Sequence, residues 1–237
     1  MKKYILLMIG MILLIFASSV SSVQMIHLAG VSTMEIIVSE NFENMTNGEE
    51  WSNDGNWDER HATTNFYIGD TDVADIPQGT RCGQADMITG EAEREINLDF
   101  SPDNTKPITM TYKFRYDFAP GNTLTMPGFV KVGESAYVQT TIDSAGNIQI
   151  YDNATWVDIV SLADDTWHTI DLEVDLDDSD GIEAVYVWVN GTEYGPYDVQ
   201  AQKDPGLINS IRVAQYWGEN GNNIWVDNII VYEGVRQ

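Results

Sequence analysis

The chain has 237 residues, 43% of them apolar and 11% aromatic, and carries 37 Asp and Glu against 12 Lys and Arg for a formal charge of −25. That length suits one large domain, or two small ones, whose core needs no covalent staples, and a single cysteine, Cys82, excludes a disulfide framework. A surface of this sign repels phosphate backbones, which argues against nucleic acid as a partner, and the aromatic content argues against a disordered acidic chain.

At the N-terminus Lys2 and Lys3 precede an apolar run from Ile5 to Ala17 and the small residues Ser18 to Ser22, the three regions of a secretory signal peptide. The run is shorter than the roughly 20 residues that span a bilayer, so cleavage after Ser21 or Ser22 and a secreted or cell-surface product are expected. An uncleaved anchor is the alternative, because Val23 to Ala29 is again mostly apolar. No later apolar run reaches spanning length, so no membrane span is expected after cleavage. The expected organisation is a signal peptide over 1–22, a short lead over 23–34 and a single domain over 35–237.

One strand is predicted near Glu35 to Phe42, and the passage from Asn44 to Asp75 is irregular and rich in Asn, Asp and Gly. From residue 108 onward the dominant period is two. Tyr112, Phe114, Tyr116 and Phe118 alternate with Lys113, Arg115 and Asp117, and His168, Ile170, Leu172, Val174 and Leu176 alternate with polar residues. Further strands are predicted over Ala136 to Ile142, Asn147 to Tyr151, Ala184 to Asn190, Ile208 to Gln215 and Ile224 to Tyr232. Asp143 to Asn147 reads as a tight hairpin and Asn190-Gly191 as a turn with positive φ at both residues. No stretch keeps a helical stripe. The pattern predicts an all-β, antiparallel two-sheet β-sandwich of jelly-roll type, with its first and last strands closing one sheet together.

Glu40, Glu43 and Asp227 are acids inside otherwise apolar strands at the two ends of the chain. Unpaired carboxylates in such places are costly, so either a cation such as Ca²⁺ lies between them or they point to solvent. A second acidic run, Asp175 to Gly181, imitates the start of a calcium loop but has no Glu at its twelfth position; a solvated hairpin tip is the other reading. The abundance of Asp also fits a surface adapted to a salty medium. Three sequons for N-glycosylation, at Asn44, Asn153 and Asn190, are no more than composition makes ordinary.

Tyr186 and Trp188 share one face of their strand and Val185, Val187 and Val189 the other. If the valines face the core, the aromatics line an outer face on which sugar rings could stack, and Tyr137, Gln139 and Arg212 would fall on comparable faces of their strands. The alternative is that the aromatics fill the core. Tyr216 and Trp217 lie in a polar loop, as ligand contacts or as a lid over the core edge. The spaced carboxylate motif E-x-D-x-x-E, G-x-S-x-G and H-E-x-x-H are all absent, and Glu91, Glu93 and Glu95 stand in a stretch with the exposed composition of a loop. Lys113 and Arg115, on the polar face of a strand, could serve a lyase acting on acidic sugars or simply balance charge.

Three segments, Asp165 to Ile170, Val185 to Gly191 and Ile224 to Tyr232, resemble the concanavalin A-like jelly rolls of laminin-G-like and related modules. The opening Glu40-Asn41-Phe42-Glu43, with Trp51 after it, resembles the start of MAM-type and glycan-binding sandwiches, although the cysteines of MAM domains are absent. The resemblance implies a structural Ca²⁺ between the first and last strands. With the aromatic strand faces it makes a non-catalytic carbohydrate-binding or adhesion module, with a glycan or polysaccharide as partner, the leading expectation. A polysaccharide-degrading enzyme of the same fold and a structural envelope or particle protein are the alternatives.

Overall fold

The structure is a computed structural model that describes residues 35–51, 57–59, 66–69, 75–86, 94–102, 106–117, 124–130, 136–138, 140–143, 145–152, 155–177, 181–198, 208–215 and 223–236. The predicted signal peptide and lead lie outside these residues. In chain order the strands are β1 (Glu35–Glu40), β2 (Trp57–Glu59), β3 (Phe66–Gly69), β4 (Cys82–Asp86), β5 (Arg94–Asp99), β6 (Ile108–Asp117), β7 (Leu124–Thr125), β8 (Gly128–Val130) and β9 (Ala136–Val138). They continue as β10 (Thr140–Ile142), β11 (Asn147–Asp152), β12 (Thr155–Ser161), β13 (His168–Asp177), β14 (Gly181–Val189), β15 (Thr192–Tyr197), β16 (Ser210–Gln215) and β17 (Asn223–Glu233).

The largest sheet runs β15-β14-β13-β6-β17-β4-β3, with β1 also paired to β17. Alternation assigns its faces: Met110, Tyr112 and Phe114 of β6, Leu172 and Val174 of β13 and Val185 and Val187 of β14 are buried in the core, while the odd-numbered residues of β6 and β13 face away from it. The opposing layer is divided into a four-stranded sheet, β12-β11-β10-β7, and a five-stranded one, β2-β5-β16-β8-β9. One apolar cluster joins all three, with Ile148 and Ile150 from β11 and Ile211 and Val213 from β16 meeting the large sheet. The protein is an all-β antiparallel sandwich, as the sequence pattern predicts.

Two local expectations are corrected. Ala136 to Ile142 is not one strand: β9, ending at Val138, pairs with β8 in one sheet, and β10, starting at Thr140, pairs with β7 and β11 in the other. The N-terminal third, expected to hold one strand, holds β1 to β5. Its strands are short and interrupted by Gly and Asp, and they exist because longer neighbours pair with them. The two turn signals hold. Asp143 Oδ1 accepts the N–H groups of Ala145 and Asn147 at 2.9 and 2.8 Å, and Asn190 and Gly191 have φ of 51° and 84°.

Beneath β3 and β4 lies an aromatic group of Phe42, Trp51, Trp57 and Phe66. Trp51 is fully buried, 4.9 Å from Phe42 and 5.4 Å from Phe66 between ring centroids, and its indole N–H donates to Tyr67 O at 2.8 Å. Gly83 on β4 makes room for it: a Cβ there would stand 2.1 Å from Trp51 Cζ2 and 2.8 Å from Phe42 Cζ. Because that indole is anchored, Gly83→Ala is expected to cost about 1–3 kcal/mol of stability, read as a lower urea midpoint. A midpoint equal to the wild type's would show that the aromatic group is not packed this way.

Candidate functional site

The valines of β14 do face the core, and Tyr186 and Trp188 occupy the opposite face with ring centroids 5.8 Å apart. That face is not open at Trp188, which is only 8% exposed. The C-terminal residues fold over it. Arg236 places its guanidinium 5.1 Å above the indole, its Nε donates to Asp171, and its backbone N–H donates to Glu173. Asp171 also accepts the hydroxyl of Thr111. Burial raises the Glu173 carboxyl above its ordinary range, and the Arg236 N–H opposes that shift. Trp188 is thus a covered residue of a structural strap, and Tyr186 is half-buried beside it.

The other expected ligand residues do not join them. Arg212 is buried on β16, and Tyr137 belongs to β9; both strands lie in the five-stranded sheet, away from β14. Gln139, Tyr216 and Trp217 lie outside the described residues, as does most of the acidic run after Asp177. Lys113 Nζ donates to Thr169 Oγ1 at 2.6 Å, and Arg115 pairs with Asp165 at 3.2 Å while its guanidinium lies 5.1 Å over Trp225. The two cations are therefore spent on joining β6 to its neighbours and to the 163–167 turn.

The acids of the chain ends are explained by backbone donors. Glu40 accepts the N–H of Phe42 at 2.7 Å, holding that residue at a φ of 59°, a left-handed conformation disfavoured for a side chain of this size. Glu43 Oε1 accepts the N–H groups of Thr80 and Arg81 at 2.7 and 2.8 Å. Asp227 accepts those of Asn228 at 2.7 Å and Gln78 at 3.2 Å. Glu43 and Asp227 therefore converge on the 77–81 turn, while Glu40 serves a different one. Among the described residues no group of three or more His, Cys, Asp or Glu is placed to hold a metal ion.

The exposed aromatic that sequence reading missed is on the four-stranded sheet. Trp156 of β12, the edge strand, is 46% exposed and pairs in register with Tyr151 of β11, edge to face with centroids 5.1 Å apart. Val157 and Ile159 point from the other face toward the core. Beside the pair, Gln149 and Asp158 are cross-strand partners, and the Gln149 amide donates to Asp158 Oδ1 at 2.6 Å and to Asp143 Oδ2 at 3.4 Å. Asp143 in turn accepts from Asn147 Nδ2 at 3.1 Å. The result is an exposed indole with the Tyr151 ring set edge-on beside it, bordered by an oriented amide and carboxylates, a combination suited to stacking on a sugar ring and accepting hydrogen bonds from its hydroxyls. The alternation that could have revealed it, Trp156 and Asp158 against Val157 and Ile159, is present in the sequence but short.

No family model matches the chain, and no curated protein sequence does. Solved structures do match. A sialidase has a TM-score of 0.62 over 83% of this chain at 9% identity, and a carbohydrate esterase of Shiga toxin-encoding bacteriophage phi24B has 0.52 over 76% at 11%. The binding domain of botulinum neurotoxin DC, solved with rat synaptotagmin II, has 0.53 over 85% at 11%. The chain spans 18% of the length of the sialidase, 90% of the esterase and 49% of the toxin domain's chain. At these identities the likeness is one of fold, a β-rich architecture shared with carbohydrate-related proteins.

Asp227 is fully buried, and that burial, with a smaller contribution from Glu43, pushes its carboxyl from 3.8 up to about 6 against the pull of its N–H donors and Lys113. A pKa raised on folding means that the group favours the fold fully below about 3.8 and loses this contribution as pH rises through about 6. Relative to Asp227→Asn, which does not titrate, the wild type is therefore expected to gain on the order of 3 kcal/mol as pH falls from 7 to 4, measured by parallel urea titrations. A difference that is flat with pH would contradict the burial of this carboxyl. Because backbone N–H groups satisfy the three acids, EGTA at constant ionic strength is expected to leave the melting temperature unchanged. A fall that Ca²⁺ reverses would show that they share an ion.

Proposed function

We propose that this protein is a secreted or surface-exposed, non-catalytic carbohydrate-binding module of concanavalin A-like type. The observation that carries the reading is the exposed Trp156 paired with Tyr151 beside the Gln149–Asp158 couple. An exposed indole loses little by waiting for a ligand, and a sugar's apolar ring face covers it at small entropic cost. The leader supports secretion. The carbohydrate-related names among proteins of like fold support the ligand class, and the engagement of Lys113 and Arg115 in structural contacts favours binding over lyase chemistry.

On a glycan array the protein without its leader is expected to bind at least one polysaccharide. Trp156→Ala should weaken that binding by roughly tenfold or more, the scale of one lost stacking contact and its shielding, with little change in melting temperature. Trp188→Ala should instead lower the melting temperature, since Arg236 and the acids beneath it lose their cover. Binding that is indifferent to Trp156→Ala, or no binding to any glycan, would overturn the assignment.

A further inference from the structure

From the same residues we infer that the Trp156 surface takes neutral or amine-bearing sugars and rejects sialic and uronic acids. This inference rests on the carbohydrate-binding reading above and says which glycans that surface admits. It runs against the expectation that the sialidase in the fold comparison would suggest.

The polar groups around the aromatic pair are acceptors. Gln149 spends its amide N–H groups on Asp158 and Asp143, which leaves its carbonyl oxygen as the part of the amide that these contacts do not use. Asp158 is exposed, with one carboxylate oxygen engaged by Gln149. Hydroxyl and ammonium groups can donate to such a border, whereas an ionised sugar carboxylate can only accept, and the Gln149 amide that could donate to it is already engaged by Asp158 and Asp143.

The charge context acts in the same direction. Strands β7, β10, β11 and β12 and the hairpin residues between β10, β11 and β12 contain no Lys or Arg. The whole stretch from Val132 to Gln202 carries 15 Asp and Glu with neither base. The bases whose contacts hold the described structure together lie elsewhere: Arg81 just before β4, Lys106 just before β6, Lys113 and Arg115 on β6, and Arg236 beyond β17. A carboxylate stacked on Trp156 would stand within a Debye length, about 8 Å at physiological salt, of Asp158 and its neighbours, and repulsion from several such charges weakens binding by roughly tenfold.

The test uses matched probes on the purified protein: lactose against sialyllactose, an N-acetylglucosamine hexamer against the glucosamine hexamer, and cello-oligosaccharides against oligoglucuronates. In the lactose and cello-oligosaccharide pairs the anionic member, sialyllactose or oligoglucuronate, is expected to bind at least roughly tenfold more weakly than its neutral counterpart at 150 mM salt and to recover part of that loss at 1 M salt. The glucosamine hexamer is expected to equal or exceed its acetylated counterpart at low salt and to lose that advantage as salt rises. Asp158→Asn should narrow the gap between neutral and anionic members without abolishing neutral binding. An anionic glycan that binds as tightly as its neutral counterpart through a surface abolished by Trp156→Ala would overturn this inference while leaving carbohydrate binding intact. An absence of binding to any probe, or binding that survives Trp156→Ala, would overturn both.

Discussion

The architecture depends on one strand having two different neighbours along a single edge. β17 lies against β6 over its whole length, while its other edge pairs with β4 over Asn223 to Val226 and with β1 over Ile229 to Glu233. The change of partner falls at an irregularity in register between Asp227 and Ile230, where Asn228 has a φ of 51°. A bulge there bends the strand and frees backbone groups from the ladder. Asp227 satisfies one of them, the Asn228 N–H, and its other oxygen reaches Gln78 in the turn that leads into β4. Glu43, just after β1, holds the same turn from the other side. The two ends of the chain are thereby joined to each other and to the turn between them. Asp227, buried, and Glu43, half-buried, are the acceptors this junction requires.

The same logic separates what stabilises the large sheet from what is left open for a ligand. The outer face of β13 and β14 is rich in acids that self-repel, and the chain's last residues neutralise and cover them. Arg236 answers Asp171 and lies over Trp188, and Lys106 answers Glu233 at 2.9 Å. In a protein this poor in bases, Lys106, Lys113, Arg115 and Arg236 are each committed to such a junction. The four-stranded sheet receives none, and its edge strand keeps an indole in solvent. Recognition by stacking and by acceptor groups is what remains possible on that sheet.

The fold was largely legible because the long strands carry strict alternation: β6, β13 and β14 bury one face at every second residue, and no other element type sustains that period. The pairing of first and last strands was legible from their shared pattern of acids in apolar runs. The short strands were not, since β2 to β4 are defined by their partners more than by their own residues. Nor was the division of the second layer, which rests on a change of partner within Ala136 to Ile142. Among site residues, the facing of Tyr186 and Trp188 followed from the valines between them. The strap that covers Trp188 did not, because it depends on where Arg236 arrives from the far side of the sheet. Trp156 escaped notice because exposure of one aromatic in a seven-residue edge strand is decided by the layer it packs on, which a sequence does not display.

The central claim is that Trp156, and not Trp188, is the indole that meets a ligand. The seven indole N–H signals of the protein, assigned by single Trp substitutions and followed by NMR as a bound oligosaccharide is added, test it directly. The proposed site requires the Trp156 signal to move in proportion to occupancy while those of buried Trp51, Trp57 and Trp188 stay in place. Movement confined to Trp188, with Trp156 unchanged, would contradict the account by showing that the C-terminal strap opens to admit the ligand.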